Sequence, residues 1–405
     1  MKKSYSVTEQ EIDPTRRKLL RQGFHGLGLL ACGGLLSACQ SQHHGRRTLL
    51  ADAGAESLLA PDENGLMLPK GFTSRVVARS GLPVIDNGGY SWHLAPDGGA
   101  VFALEDRGWV YVSNSEMNHG AGGAGAIRFD AAGAIVDAYP ILQHTNRNCA
   151  GGPTPWQTWL SCEEVNHGQV WECDPLGQRL ARARPALGVF NHEAAAVDPQ
   201  TLQVYLTEDQ PDGCLYRYTP DSSSQGIPNL DSGRLEVAEV IGGQEGEVRW
   251  HTLPDPSATA GETRRQVAAA TKFRGGEGCW YGHGNIYFTT KLDNRVWVYE
   301  IANARLTLIY DNNLSTEPVL SGVDNVTVSE PGTVYVAEDG GDMQIVAITA
   351  DGNIFPVVQI VGHEQSEVTG PAFDPSGTRL YFSSQRGATG SVYSGVTYEV
   401  MGPFF

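Results

Sequence analysis

Hydrophobic positions along the chain come in short runs in which an aromatic stands between two residues suited to a strand. Six copies can be read: Val110-Tyr111-Val112, Thr158-Trp159-Leu160, Val204-Tyr205-Leu206, Ile286-Tyr287-Phe288, Val334-Tyr335-Val336 and Leu380-Tyr381-Phe382. Several lead through a polar turn into a second run, such as Leu215-Tyr216-Arg217-Tyr218 or Val296-Trp297-Val298-Tyr299. Alternation at period two, bounded by Gly, Asn, Asp and Pro, is the signal of half-buried strands. No long helical period follows residue 60. The central aromatics recur at about the 40–50-residue pitch of a four-stranded propeller blade. One interval, from Tyr205 to Tyr287, is longer, and its Ser-, Gly- and Pro-bearing stretch 221–261 reads as an insertion. The pattern predicts an all-β fold, a six-bladed β-propeller over residues 66–405. A β-sandwich is the alternative, since sandwiches also have short strands, though not six copies near one spacing.

Four of these signatures have a metal-grade side chain about one strand and one turn upstream: Cys149, Glu193, Glu277 and Asp324. If the repeats are equivalent, these four lie on innermost strands and converge on one axis. A thiol and three carboxylates around an axis propose a metal site. A thiolate is soft and suits iron or zinc, whereas carboxylates are hard and suit calcium. Acids also follow the signatures, as Glu163-Glu164, Glu208-Asp209 and Glu338-Asp339, with Glu116 similarly placed. Glu163, Glu164, Glu208 and Glu338 are carried as further metal candidates, with a role as turn and rim residues as the alternative. His93, His192 and His283 read as structural histidines, with a supporting role for His192 beside Glu193 left open.

The N-terminus is an address rather than part of the fold. Thr15-Arg16-Arg17-Lys18-Leu19-Leu20-Arg21 resembles a twin-arginine export motif, followed by an apolar, glycine-rich stretch too short for a permanent membrane span. Leu36-Ser37-Ala38-Cys39 fits a lipoprotein cleavage box, with Cys39 as the lipid-bearing residue, and ordinary cleavage near Ala38 is the alternative. Residues 1–38 are thus expected to form the signal peptide and 39–65 a flexible tether. The expected location is periplasmic or membrane-anchored, the only membrane contact being the lipid at Cys39, and the expected partner is the twin-arginine machinery. A formal net charge of −17 opposes nucleic-acid binding and is compatible with bound cations. Of seven cysteines, Cys32 leaves with the signal and Cys39 carries lipid. In an oxidising compartment Cys162, Cys173, Cys214 and Cys279 allow up to two disulfides, and Cys149 is expected unpaired.

Longer motifs surround the four candidates. They are Asn-Cys-Ala-Gly-Gly-Pro-Thr-Pro-Trp-Gln-Thr-Trp-Leu-Ser-Cys-Glu-Glu at 148–164, Asn-His-Glu-Ala at 191–194, Arg274 with Glu277-Gly278, and Asp324-Asn325. In this order they resemble the PhoX-type alkaline phosphatases, over most of the chain after about residue 65. The resemblance implies a six-bladed propeller whose channel holds a mixed iron and calcium cluster, acting on small-molecule phosphate monoesters. Carried over by motif, Cys149 is the bridging thiolate, and Glu193, Glu277 and Asp324 are carboxylate ligands. Arg274 faces the phosphate, with Glu277 as the second catalytic candidate. Two departures stand out: Gln157 replaces a usual glycine, and Arg274 lies further from Glu277 than the family pattern. The rival readings are a lactonase-like calcium-dependent propeller hydrolase, which needs no thiolate, and a non-catalytic cell-envelope binding propeller.

Overall fold

The computed structural model describes residues 57–86, 89–314 and 318–404. The twin-arginine motif, the signal peptide 1–38, Cys39 and most of the tether lie outside the described residues. Residues 57–65, expected within the tether, are instead held to the sheets. Leu59 N donates to Leu68 O at 2.9 Å, and Ser74 Oγ donates to Asp62 Oδ2 at 2.5 Å. The reason is apolar: Leu66 and Leu68 are buried and draw the preceding residues onto the protein.

The described residues are all-β, with only short 3-10 turns between strands. The recurring unit is four antiparallel strands. The first unit is Pro96–Ala103, Trp109–Ser115, Gly122–Phe129 and Ile135–Thr145. The second is Asn148–Pro153, Trp159–Glu163, Val170–Cys173 and Arg182–Ala183. The third is His192–Val197, Val204–Glu208, Leu215–Pro220 and Gly233–Ile241, and the fourth Gly276–Gly282, Asn285–Thr290, Arg295–Glu300 and Arg305–Asp311. The fifth is Val323–Val328, Val334–Glu338, Gln344–Ile348 and Ile354–Ile360, with Leu66–Met67 added at its outer edge. The sixth is Val368–Phe373, Arg379–Ser384 and Val396–Met401, completed by Thr73–Arg79 from the other end of the chain. The first strand of each unit packs beside that of the next, and Val368–Phe373 packs beside Pro96–Ala103, which closes a propeller-like ring.

The aromatic triplets sit on the second strand of each unit. Tyr111, Trp159, Tyr205, Tyr335 and Tyr381 are buried, because sheets cover both faces of a mid-unit strand. Rings bridge units, as where Tyr111 stacks on Tyr381 at 5.1 Å between centroids and Trp109 Nε1 donates to Tyr381 Oη at 3.0 Å.

Two expectations change. The stretch 221–261 is not a simple insertion. Gly233–Ile241 is the outer strand of the third unit, and Gly246–Thr252 pairs with it and with Arg305–Asp311. These two units thereby form one nine-stranded sheet. The four cysteines offered for disulfides are all free and buried, because they pack as apolar side chains in three separate cores.

Candidate metal centre

Each innermost strand breaks register at the same place. Pairing skips from Pro96 to Gly99, Asn148 to Gly151, His192 to Ala195, Gly276 to Cys279, Val323 to Val326 and Thr369 to Ala372. These are β-bulges, which bend a strand and re-aim its side chains. The first residue in each skipped pair is Asp97, Cys149, Glu193, Glu277, Asp324 or Gly370. The second is Gly98, Ala150, Ala194, Gly278, Asn325 or Pro371, and these meet below the acids in a space of only about 20 Å³. A Cβ on Gly98 would lie 2.5 Å from Ala150 Cα, and one on Gly278 2.6 Å from Val326 N. Small residues therefore let the inner strands converge, and the convergence places the acids side by side.

The acids form a continuous belt. Donor atoms of Cys149, Glu164 and Glu193 lie within 4.8 Å of one another. The same holds for Glu193, Glu277 and Asp324, for Asp324, Asp339 and Glu367, and for Asp97, Glu116 and Glu367. Glu193, Asp324 and Glu367 are each shared by two groups. Against these eight carboxylates and one thiol stand three basic side chains. Arg147 pairs with Glu116 at 2.6 Å and Glu164 at 2.5 Å. Lys291 pairs with Asp339 at 2.5 Å and lies 3.8 Å from Glu277, and Arg386 pairs with Glu367 at 2.9 Å.

Burial is the first cause of the altered acidity here, and mutual repulsion the second. Burial, then Glu164 and Asp324, push Glu193 far above the usual carboxylate range. Burial, then Glu193 and Asp324, do the same to Glu277. Burial raises Asp324 to about 7 against the pull of Lys291, and burial and Glu116 raise Glu164 to about 8. The Cys149 thiol is pushed up by burial and then by Asp97. Burial works against the Lys291 ammonium, but Glu277, Asp324 and Asp339 outweigh it and keep it charged. Both Glu193 oxygens and Glu277 Oε1 are buried without a hydrogen-bond partner. Buried charge in this state is costly unless a cation or a proton compensates it. The donor set, hard carboxylates with one soft thiol, therefore fits bound metal.

The structure brings Cys149, Glu193, Glu277, Asp324 and Glu164 together and keeps the other candidates apart. Glu163 turns to its own unit and accepts from Asn146 N at 3.0 Å. Glu208 is spent on Arg264 at 3.0 Å and Tyr216 Oη at 2.7 Å, and Glu338 on the amides of Ser321 and Gln344. In each acid pair the first residue ends the second strand and faces its own sheet. The next points the other way, as strand alternation requires, so Glu164 and Asp339 join the belt in place of Glu163 and Glu338. Arg274 is exposed just before the fourth inner strand and makes no ion pair among the described residues. The basic groups at the belt are Arg147, Lys291 and Arg386. Asp97 and Glu367 went unread in the sequence. Asp97 is followed by a longer loop before its triplet, and Glu367 precedes its strand, where the bulge position is the glycine Gly370. His192 stacks on Phe190 with 3.6 Å between centroids, and its Nε2 meets Gly188 O at 3.0 Å, a structural placement beside Glu193. Gln157 adopts φ 62°, the left-handed conformation for which the usual glycine is suited.

A ring of antiparallel units with a buried acid-and-thiol belt at its axis defines a propeller-like protein equipped to hold cations. The chain belongs to the alkaline phosphatase PhoX family, whose model matches residues 91–167, 165–307 and 297–387, and it is a PhoX-like phosphatase. Among solved structures it is similar to Pseudomonas fluorescens PhoX in complex with vanadate, a transition state analogue. The TM-score is 0.71 at 18% identity, covering 86% of this chain and 98% of that one. A Bacteroides thetaiotaomicron protein of unknown function gives a TM-score of 0.50 at 10% identity, over 82% of this chain and 76% of its own. A gluconolactonase from Xanthomonas campestris reaches only 0.46 at 13% identity, over 76% and 86%. A sequence search of the curated proteins finds no match. Family membership favours the phosphatase reading over the lactonase-like and non-catalytic alternatives.

Proposed function

We propose that the protein hydrolyses phosphate monoesters, with iron held near Cys149 and calcium among the remaining carboxylates. It would reach the cell envelope by the twin-arginine route, with Cys39 as its lipid anchor. The observation that carries the metal reading is the set of buried oxygens without a hydrogen-bond partner on Glu193 and Glu277. Cys149, Glu164, Glu193 and Glu277 would hold the softer metal, and Asp324, Asp339, Glu367, Asp97 and Glu116 the harder one. When bound, such a cluster supplies positive charge to the phosphoryl oxygens and to the departing oxygen.

The chain's own residues set the stage for that chemistry. Burial keeps water from screening the carboxylates and so strengthens every charge interaction in the belt. Arg147 spans Glu116 and Glu164 and fixes their orientation. Asn325 Nδ2 donates to Asp324 Oδ1 at 2.9 Å, while its Oδ1 accepts from Gly370 N at 2.6 Å. That bridge ties the fifth unit's ligand to the sixth unit. Arg147, Lys291 and Arg386 offer the donors that an incoming phosphate would meet.

The test is elemental analysis of protein purified through its native export route, with p-nitrophenyl phosphate turnover on the same sample before and after a calcium chelator. Bound iron with chelator-sensitive turnover supports the proposal. Absence of both overturns it.

A further inference from the structure

We propose that a cavity on the first unit is a subsite for the organic part of the substrate, and that it selects phosphate monoesters whose alcohol carries a flat, uncharged ring. This rests on the phosphatase reading of the acid belt.

The cavity holds about 270 Å³, near the lower end of ligand-pocket sizes. Its lining includes Tyr90, His93 and Ser115, with the exposed residues Gln143 and His144. No Asp, Glu, Lys or Arg is among the described residues that line it. That is unusual ground in a chain with net charge −17, and it offers no lysine or arginine to a second phosphate. His93 Nδ1 meets Tyr90 Oη at 3.3 Å, and its Nε2 meets Ser113 Oγ at 3.3 Å. Burial lowers the imidazole to about 3, so His93 itself brings no charge to the wall near neutral pH. Aromatic rings bind planar partners by stacking, and the exposed Gln143 amide on the wall can both donate and accept.

Glycines create the space. The strand Gly122–Phe129 begins Gly-Gly-Ala-Gly. A Cβ on Gly125 would lie 2.3 Å from Tyr90 Oη and 2.7 Å from His93 Nδ1. Glycine there is what lets the two rings lie down on the strand and form the wall.

The cavity opens at the same end of the sheets as the belt. In an antiparallel unit the start of the first strand, the end of the second, the start of the third and the end of the fourth share one end. Those positions hold Asp97, Ser115, Gly122 and Thr145. Ser115 lines the cavity, and its neighbour Glu116 belongs to the belt. A Cβ on Gly122 would lie 2.9 Å from the side-chain oxygen of Asn148, which precedes Cys149. On this proposal the phosphoryl group lies at the belt and the ring in the neighbouring cavity.

The test compares kcat/KM for adenosine 5′-monophosphate and for glycerol 1-phosphate in the metal-loaded wild type and in Ala121→Trp. Ala121 is exposed on the cavity wall, so the indole fills the space without entering the core. Calorimetry of adenosine binding runs alongside. The expected result is a wild-type preference for the nucleotide that falls by about tenfold or more in the variant, with loss of the adenosine heat. Equal losses on both substrates, or no preference in the wild type, would overturn the subsite. If neither ester turns over, the phosphatase reading fails by itself. The subsite then stands if wild type binds adenosine and Ala121→Trp does not, and falls if wild type gives no heat.

Discussion

Replacing Glu193 by Gln should have opposite effects on stability with and without metal. Glu193 belongs to two of the four donor groups, and neither oxygen has a hydrogen-bond partner. Without cations its carboxylate is a buried group repelled by Glu164 and Asp324. Gln keeps the shape and removes the charge. The Gln amide meets the same unpartnered surroundings but never has to be held charged or protonated against its neighbours, so the chelated variant should melt no lower than chelated wild type. In loaded protein the softer metal, which Glu193 would help to hold, loses a ligand. Loss of even an outer-sphere partner weakens a metal site by about 10–100-fold, or about 1.4–2.7 kcal/mol per cation. The rise in melting temperature on loading should shrink by at least that amount. Differential scanning calorimetry of both proteins, chelated and loaded, reads the four values directly. An equal drop in both states would mean that Glu193 is merely a packed side chain, and the cation argument would fail.

Three further outcomes are expected. In chelated protein, burial and its neighbours raise Glu164 to about 8, and burial raises Asp324 to about 7. Both then bind protons more tightly folded than unfolded, so their stability contribution is complete below about pH 4 and lost as pH rises to about 8. Melting temperature should fall across that window with chelator and flatten with calcium, and an equal slope in both refutes the assignment. Gln157→Gly should raise stability by up to about 1 kcal/mol, because Gln157 occupies the left-handed region at φ 62°; a lower denaturation midpoint would count against it. Arg274→Ala should leave the phosphatase KM within about twofold, while Lys291→Met, which strands Asp339 and Glu277, should cost about tenfold or more in kcat/KM; the reverse order in steady-state kinetics would restore Arg274 to the site.

Much of the architecture was legible in the chain because strand pattern is local. A triplet such as Val334-Tyr335-Val336 declares a buried strand wherever it stands, and its repetition declares a ring of similar units. The four residues Cys149, Glu193, Glu277 and Asp324 were legible for the same reason, since equal offsets from equal strands mean equal places around the axis. What the sequence could not supply was anything decided between strands. Whether Glu338 or Asp339 faces the axis depends on where a strand ends, and one residue of shift reverses the face. Asp97 meets Glu367 only because the first and sixth units are neighbours in the closed ring, although far apart in the chain. Lys291 and Arg147 acquire their roles by proximity to acids of other units. Local patterning determined the strands and their repeat; ring closure, a long-range pairing, and the six bulges, which re-aim one residue of each inner strand, decided which acids share one site.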